Sequence, residues 1–126
     1  MAVNFMGAVF VRVSNLEQSI RFYSDILGLH LRNIEECGRI ANFIIHENSP
    51  LLTLIKSEEF QIQEFPTFNL NYSHVLEVHE KLQSQGVKVG PIKNWSSDRN
   101  VHIDFDAYDP DGNAINIIEW SKKANN

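Results

Sequence analysis

The chain shows one order of secondary-structure elements twice, and this repeat constrains its fold more than any other feature. Each half of the 126 residues contains a strand-like segment, an amphipathic helical pattern and further strand-like segments. We expect a single domain, 1–126, built from two β-α-β-β-β modules at about 6–57 and 67–121, joined by an acidic linker at about 57–66. A sheet with one helix leaves its other face uncovered. The predicted fold is therefore α+β, with curved mixed sheets around a cleft and the helices outside.

Module one begins with a strand, and helix signals follow directly. Valines alternate along Ala8–Val13, which is typical of a strand with one apolar face. Asn15 is the predicted helix N-cap, supported by Gln18 three residues later, and Gly28 predicts the helix end. The remaining strand-like segments of this module are 29–35, 39–46 and 51–56.

Module two repeats the same order of elements. Ser73 is the predicted N-cap of the second helix, and Gly86 is its predicted end. A tight turn is predicted at 109–113, where the sequence reads Asp-Pro-Asp-Gly-Asn. The strand-like segments of this module are 67–72, 87–93, 101–108 and 114–120.

Composition excludes several classes of function. The net charge is −5 and no basic tract is present, which argues against a nucleic-acid partner. No apolar run approaches the roughly 20 residues that span a bilayer, so no membrane partner is expected. The N-terminus lacks the pattern of a secretory signal, and the single cysteine, Cys37, excludes an intrachain disulfide. We therefore expect a cytoplasmic protein.

Two segments near opposite ends of the chain carry a family likeness. The first runs through Val11-Arg12-Val13-Ser14-Asn15-Leu16-Glu17-Gln18-Ser19-Ile20-Arg21-Phe22-Tyr23 to Ile26-Leu27-Gly28-Leu29. The second is the turn 109–113 with Ile115, Ile117 and Glu119 after it. They resemble the opening and the closing hairpin of the glyoxalase/bleomycin-resistance/dioxygenase group, the vicinal-oxygen-chelate (VOC) superfamily. The resemblance implies a small-molecule ligand and a homodimer.

In metal-dependent members of that superfamily, four strand positions supply His, Gln or Glu ligands. Transferred by spacing from the two segments, these positions fall on Ala8, Thr53, Thr67 and Asn116. Alanine has no donor atom, and hydroxyl and amide groups are weak ligands for a divalent transition metal. The resemblance therefore implies a member with no metal and no cofactor.

Strand alternation predicts which side chains line the cleft. The apolar set on 101–108 should lie under a helix, so the alternate set, with its two aspartates, should face the cleft. The predicted ligand-binding residues are Phe10, Arg12, Thr53, Thr67, Asn69, His102, Asp104, Asp106 and Asn116. Such a face is also typical of a strand in contact with solvent, and Arg12 could simply form an ion pair with one aspartate.

Two tryptophans stand apart from these predicted strand faces. Trp95 lies in a polar loop, and Trp120 lies at the end of the last strand. Either could cover the cleft mouth or a dimer contact, or could merely anchor its loop.

Two functions are compatible with these patterns. The first is a metal-free protein that binds a polar or cationic small molecule. The second is a lyase, isomerase or dioxygenase of the same superfamily, either metal-dependent or with His102 as general base. The donor set at the four ligand positions favours the first function.

Overall fold

Two units, each with one mixed four-stranded sheet and one main helix, make up residues 1–124, the part of the chain that the computed structural model describes. Unit one is Met1–Ile62, and unit two begins at Gln63. The α+β fold class expected from the sequence is confirmed. None of the helices in residues 1–124 has the length and apolarity that crossing a bilayer requires.

Unit one has strand order β1-β4-β3-β2, with β1 and β4 parallel and the other neighbours antiparallel. Its helix α1 spans Leu16–Arg21 and continues as a π-helical segment, Phe22–Ile26. The strands are β1 (Ala8–Val13), β2 (His30–Ile34), β3 (Ile40–Ile44) and β4 (Leu51–Lys56).

Local signals define both ends of the first helical stretch. The side chain of Asn15 accepts the backbone N–H of Gln18 at 3.0 Å, which confirms the predicted N-cap. At the other end Gly28 has φ +79°, and the N–H of Leu29 donates to the Tyr23 carbonyl at 2.9 Å. Tyr23 is fully buried against Phe43 of β3, so α1 and its continuation cover one face of this sheet.

Unit two has strand order β5-β8-β7-β6, with β5 and β8 parallel and the other neighbours antiparallel. The strands are β5 (Asn69–Asn71), β6 (Lys93–Asn94), β7 (Asn100–Tyr108) and β8 (Ala114–Lys122), and the helix is α2 (Val75–Ser84). Phe105 of β7 is buried against α2, where the His79 ring meets it edge-on with ring centroids 4.7 Å apart.

The strand predicted over 87–93 is wrong for most of its length. Only Val89 forms an isolated bridge, to Ala107, and regular pairing starts at Lys93. Gly90 and Pro91 explain the break, because proline has no N–H for a sheet ladder and glycine weakens a strand.

The predicted Ser73 N-cap is also wrong. The N-cap is His74, which adopts a left-handed conformation with φ 58° and caps no N–H with its side chain. Instead Glu119 of β8 accepts the backbone N–H of Val75 at 3.1 Å. A carboxylate from the sheet thus supplies the acceptor that a local side chain was expected to provide.

Candidate functional site

The face of the unit-one sheet that points away from α1 holds a cavity of about 1000 Å³. Phe10 and Thr53 are direct neighbours on β1 and β4, and both line it. Ala8, the first position of the family's metal site, lines the same cavity. The structure therefore brings together two predicted ligand-binding residues, Phe10 and Thr53, and two of the four positions of the family's metal site, Ala8 and Thr53.

A chain of polar side chains crosses the floor of this cavity. Thr53 Oγ1 donates to Asn42 Oδ1 at 2.7 Å, and Asn42 Nδ2 donates to Glu35 Oε1 at 2.7 Å and to Asn33 Oδ1 at 3.3 Å. Thr53 is 4% exposed and Asn42 is 8% exposed. Both polar groups are thus buried and satisfied, as polar groups in a sheet interior must be.

Asn33, Glu35 and Asn42 are cavity residues that the sequence reasoning missed. Alternation along β3 could have found Asn42, because its neighbours Ala41 and Phe43 belong to the buried helix-side face. The register of β2 shifts between Leu31 and Asn33, so simple alternation does not extend to Glu35.

Arg12 lies two residues beyond Phe10 on β1. Its Nη1 donates to Ser57 Oγ at 3.1 Å, which ties the exposed guanidinium to a hydroxyl just after β4. It is not among the residues that line the cavity.

In unit two, three predicted residues form one cluster across β7 and β8. Asn116 Nδ2 donates to Asp104 Oδ2 at 2.8 Å and to Asp106 Oδ1 at 3.1 Å. The Trp95 indole N–H donates to Asp104 Oδ1 at 3.1 Å, and Lys93 Nζ lies 3.4 Å from Asp104 Oδ2. The Asp104 side chain is 11% exposed, and the Lys93 cation and the Trp95 and Asn116 donors compensate the burial of its charge.

The remaining predicted residues of unit two lie around this cluster or outside it. Asn69 pairs with Asn116 across β5 and β8, whereas Thr67 is exposed and precedes β5. The His102 ring stacks on Trp120 with centroids 5.8 Å apart, and within residues 1–124 it forms no hydrogen bond with either aspartate. Trp95 and Trp120 remain 64% and 63% exposed.

The four positions of the family's metal site do not fit a divalent transition metal. Ala8 offers no donor, the Thr53 hydroxyl donates to Asn42, and the Asn116 amide donates to two carboxylates. In residues 1–124 no group of three or more His, Cys, Asp and Glu side chains is placed to hold a metal ion. The three polar side chains at these positions, Thr53, Thr67 and Asn116, are hydroxyl and amide groups, which are weak ligands for such a metal.

Comparison with known proteins identifies the family to which the chain is similar. The model of the Glyoxalase/Bleomycin resistance protein/Dioxygenase superfamily matches residues 5–117. No curated protein matches the chain.

Three solved structures illustrate the likeness of fold. A member of the same superfamily from Sphaerobacter thermophilus has TM-score 0.78 and 17% identity, covering 93% of this chain and 98% of its own. TnmS3, an antibiotic binding protein from a Streptomyces species, has TM-score 0.73 and 23% identity, covering 96% and 99%. A lactoylglutathione lyase from Agrobacterium tumefaciens has TM-score 0.72 and 16% identity, covering 94% and 96%. At these identities the likeness shows the fold alone.

Proposed function

Because the chain belongs to the glyoxalase/bleomycin resistance protein/dioxygenase superfamily, we propose that it is a metal-free protein that binds a polar or cationic small molecule. The unit-one cavity carries this proposal. Its volume of about 1000 Å³ suits a drug-sized ligand. Its lining combines apolar side chains such as Phe10, Leu51 and Ile55 with a few oriented polar groups, which is the usual composition of a ligand site.

Charge supports a polar or cationic ligand. Two carboxylates, Glu35 and Glu36, line the cavity against one guanidinium, Arg32. We propose that Phe10 and Thr53, the predicted residues that line this cavity, contact the ligand.

We propose a metal-free protein because the side chains at the four positions of the family's metal site are poor ligands for a divalent transition metal. The enzyme alternative with His102 as base has no supporting contact in the described chain, since the ring stacks on Trp120. An antibiotic binding protein is among the structures of similar fold, which supports a binding role.

A combined metal and binding assay tests the proposal. Elemental analysis of the purified protein should find no stoichiometric Ni, Zn, Mn or Fe, and tightly held metal would contradict the metal-free assignment. A thermal-shift screen of small polar and cationic molecules should give hits, because a ligand that binds only the folded state raises its stability. Phe10→Ala should abolish these shifts. Phe65→Ala, which removes an exposed ring outside the cavity lining, should preserve them.

We also propose that the protein works as a homodimer in the cytoplasm. Exposed apolar side chains at the N-terminus, among them Val3, Phe5 and Met6, offer surface for a second copy. The free, exposed thiol of Cys37 suits a reducing compartment. Sedimentation equilibrium at micromolar concentration should give twice the chain mass, and a monomer would contradict the dimer.

A further inference from the structure

We infer that the unit-one cavity recognises an organic cation through Glu35, with Asn42 and Thr53 as positioning residues for its carboxylate. This inference rests on the proposed binding function and names the ligand class of the same site. It starts from the asymmetric environment of the Glu35 carboxylate. Oε1 accepts from Asn42 at 2.7 Å and from Asn33 at 3.4 Å, whereas Oε2 has no partner within residues 1–124.

Hydrogen bonds also hold the backbone of Glu35 on both sides. Its N–H donates to the Ile40 carbonyl at 2.9 Å, and its carbonyl accepts from Gly38 at 2.9 Å. Gly38 has φ +72°, a conformation that glycine adopts without strain, so the hairpin turn after β2 is well defined. One carboxylate oxygen is thus oriented by the protein, and the other is left for a donor from outside.

Thr53 and Glu35 together hold the Asn42 amide in one orientation. The Glu35 carboxylate can only accept, so Asn42 presents Nδ2 to it, and Oδ1 then accepts the Thr53 hydroxyl. A flipped amide would place Oδ1 against the carboxylate, where two acceptors repel, and the Thr53 O–H would lose its acceptor. Because both side chains are nearly fully buried, such a loss is costly, and the chain from Thr53 through Asn42 holds Glu35 in one geometry.

The surroundings of Glu35 define the rest of the ligand. Phe10 is 67% exposed and lines the same cavity, where its ring offers a flat apolar contact. An amidinium or ammonium group can donate a charge-assisted hydrogen bond to Oε2, and a planar cation also stacks on an aromatic face. Glu36 lines the same cavity and adds a second negative charge. The geometry therefore fits a planar apolar body that carries an amidinium or ammonium group.

Three naphthalene probes of nearly equal shape separate charge from shape. They are 2-naphthamidine, 2-naphthamide and 2-naphthoate, which are cationic, neutral and anionic. Calorimetry or ligand-observed NMR on the full chain should show the amidine binding about tenfold more tightly than the amide, as expected for a charge-assisted hydrogen bond. Glu35→Gln should remove that preference. Glu58→Gln, which neutralises an exposed acid of the same unit outside the cavity lining, should retain it.

A second set of variants tests the positioning residues. Thr53→Val keeps the side-chain shape but removes the hydroxyl donor, so it should weaken amidine binding several-fold and leave amide binding unchanged. Thr53→Ser should restore the preference. In the Glu35→Gln background Thr53→Val should have no further effect on the preference, because both act through one carboxylate. Equal weakening of both probes by Thr53→Val would show a merely structural role and overturn the positioning assignment.

The outcomes separate this inference from the proposed function. Equal affinity for amidine and amide, or tighter binding of the naphthoate, would overturn cation recognition while ligand binding remained in place. Amidine preference that survives Glu35→Gln would assign the cation to another group and overturn the role of Glu35. If none of the probes shifted backbone NMR signals of the cavity residues, cation recognition here would be overturned. The broader screen with Phe10→Ala would then decide the binding function independently.

Discussion

The indole N–H of Trp95 donates to Asp104 Oδ1 at 3.1 Å, so a largely exposed aromatic ring is tied to a buried carboxylate. The other oxygen, Asp104 Oδ2, accepts a hydrogen bond from Asn116 Nδ2 and forms an ion pair with Lys93 Nζ. Every hydrogen-bond or ion-pair partner of this carboxylate in residues 1–124 is therefore a donor. The arrangement fixes the nitrogen edge of the Trp95 indole and makes Asp104 the centre of the unit-two cluster.

Asp104→Asn is expected to destabilise the protein by about 1–3 kcal/mol, because the new amide nitrogen must face a donor on either side. Asp106→Asn is the matched control, since Asn116 is its one side-chain hydrogen-bond partner in the described chain. Urea denaturation of both variants measures the difference in free energy of unfolding. Equal losses would show that Asp104 is not the centre of the cluster.

Alternation along a strand was enough to predict that Asp104, Asp106 and Asn116 share a surface, because each strand obeys a period of two. The bounds of β1 and β4, the Asn15 cap and the left-handed Gly28 also follow from local signals. Whether the clustered residues bind a ligand remains a prediction.

The missed features depend on partners that are distant in sequence or on local irregularities. Glu119 caps Val75 from 44 residues away, so no local pattern at Ser73 could reveal it. The network from Thr53 to Glu35 depends on pairing between β3 and β4 and on the register shift in β2. Tertiary contacts of this kind override local preferences for caps and faces.

Glu119→Gln should loosen the first turn of α2. The carboxylate accepts the N–H of Val75 at the positive end of the helix dipole, and the amide keeps an acceptor without the charge. We expect a loss of about 0.5–1 kcal/mol in the free energy of unfolding. Faster hydrogen exchange confined to the first α2 amides would locate the effect, and unchanged exchange there would contradict the capping role.

Gly28→Ala should cost about 1 kcal/mol through backbone strain alone. The residue has φ +79°, and an added Cβ would meet no atom within 4 Å, so no steric clash contributes. Gly7→Ala is the matched control, because Gly7 also has open space around it but no positive φ. Thermal denaturation compares the two, and equal stability of both variants would refute the strain at Gly28.

Burial raises the pKa of the Tyr72 phenol from 10.0 to about 12. The buried site disfavours the phenolate, so the folded chain keeps this proton at a pH where the unfolded chain releases it. The resulting stability is fully present below the unfolded pKa of 10.0 and is lost as the pH rises from there through about 12. Between about pH 8 and about pH 11 the native protein should therefore lose about 1.4 kcal/mol more stability than Tyr72→Phe, which has no proton to release.

The comparison uses the change in the free energy of unfolding between the two pH values. A constant effect of removing the Tyr72 hydroxyl is the same at both pH values, so it cancels. Urea denaturation of both proteins at the two pH values measures this difference, because every other titrating group contributes alike to the two chains. A parallel loss in the native protein and in Tyr72→Phe would mean that the phenol titrates alike in the folded and unfolded chains. In that case the ultraviolet absorbance of tyrosinate, taken as the difference between the two proteins, should give the Tyr72 phenol in the folded chain a pKa of about 10 and not about 12.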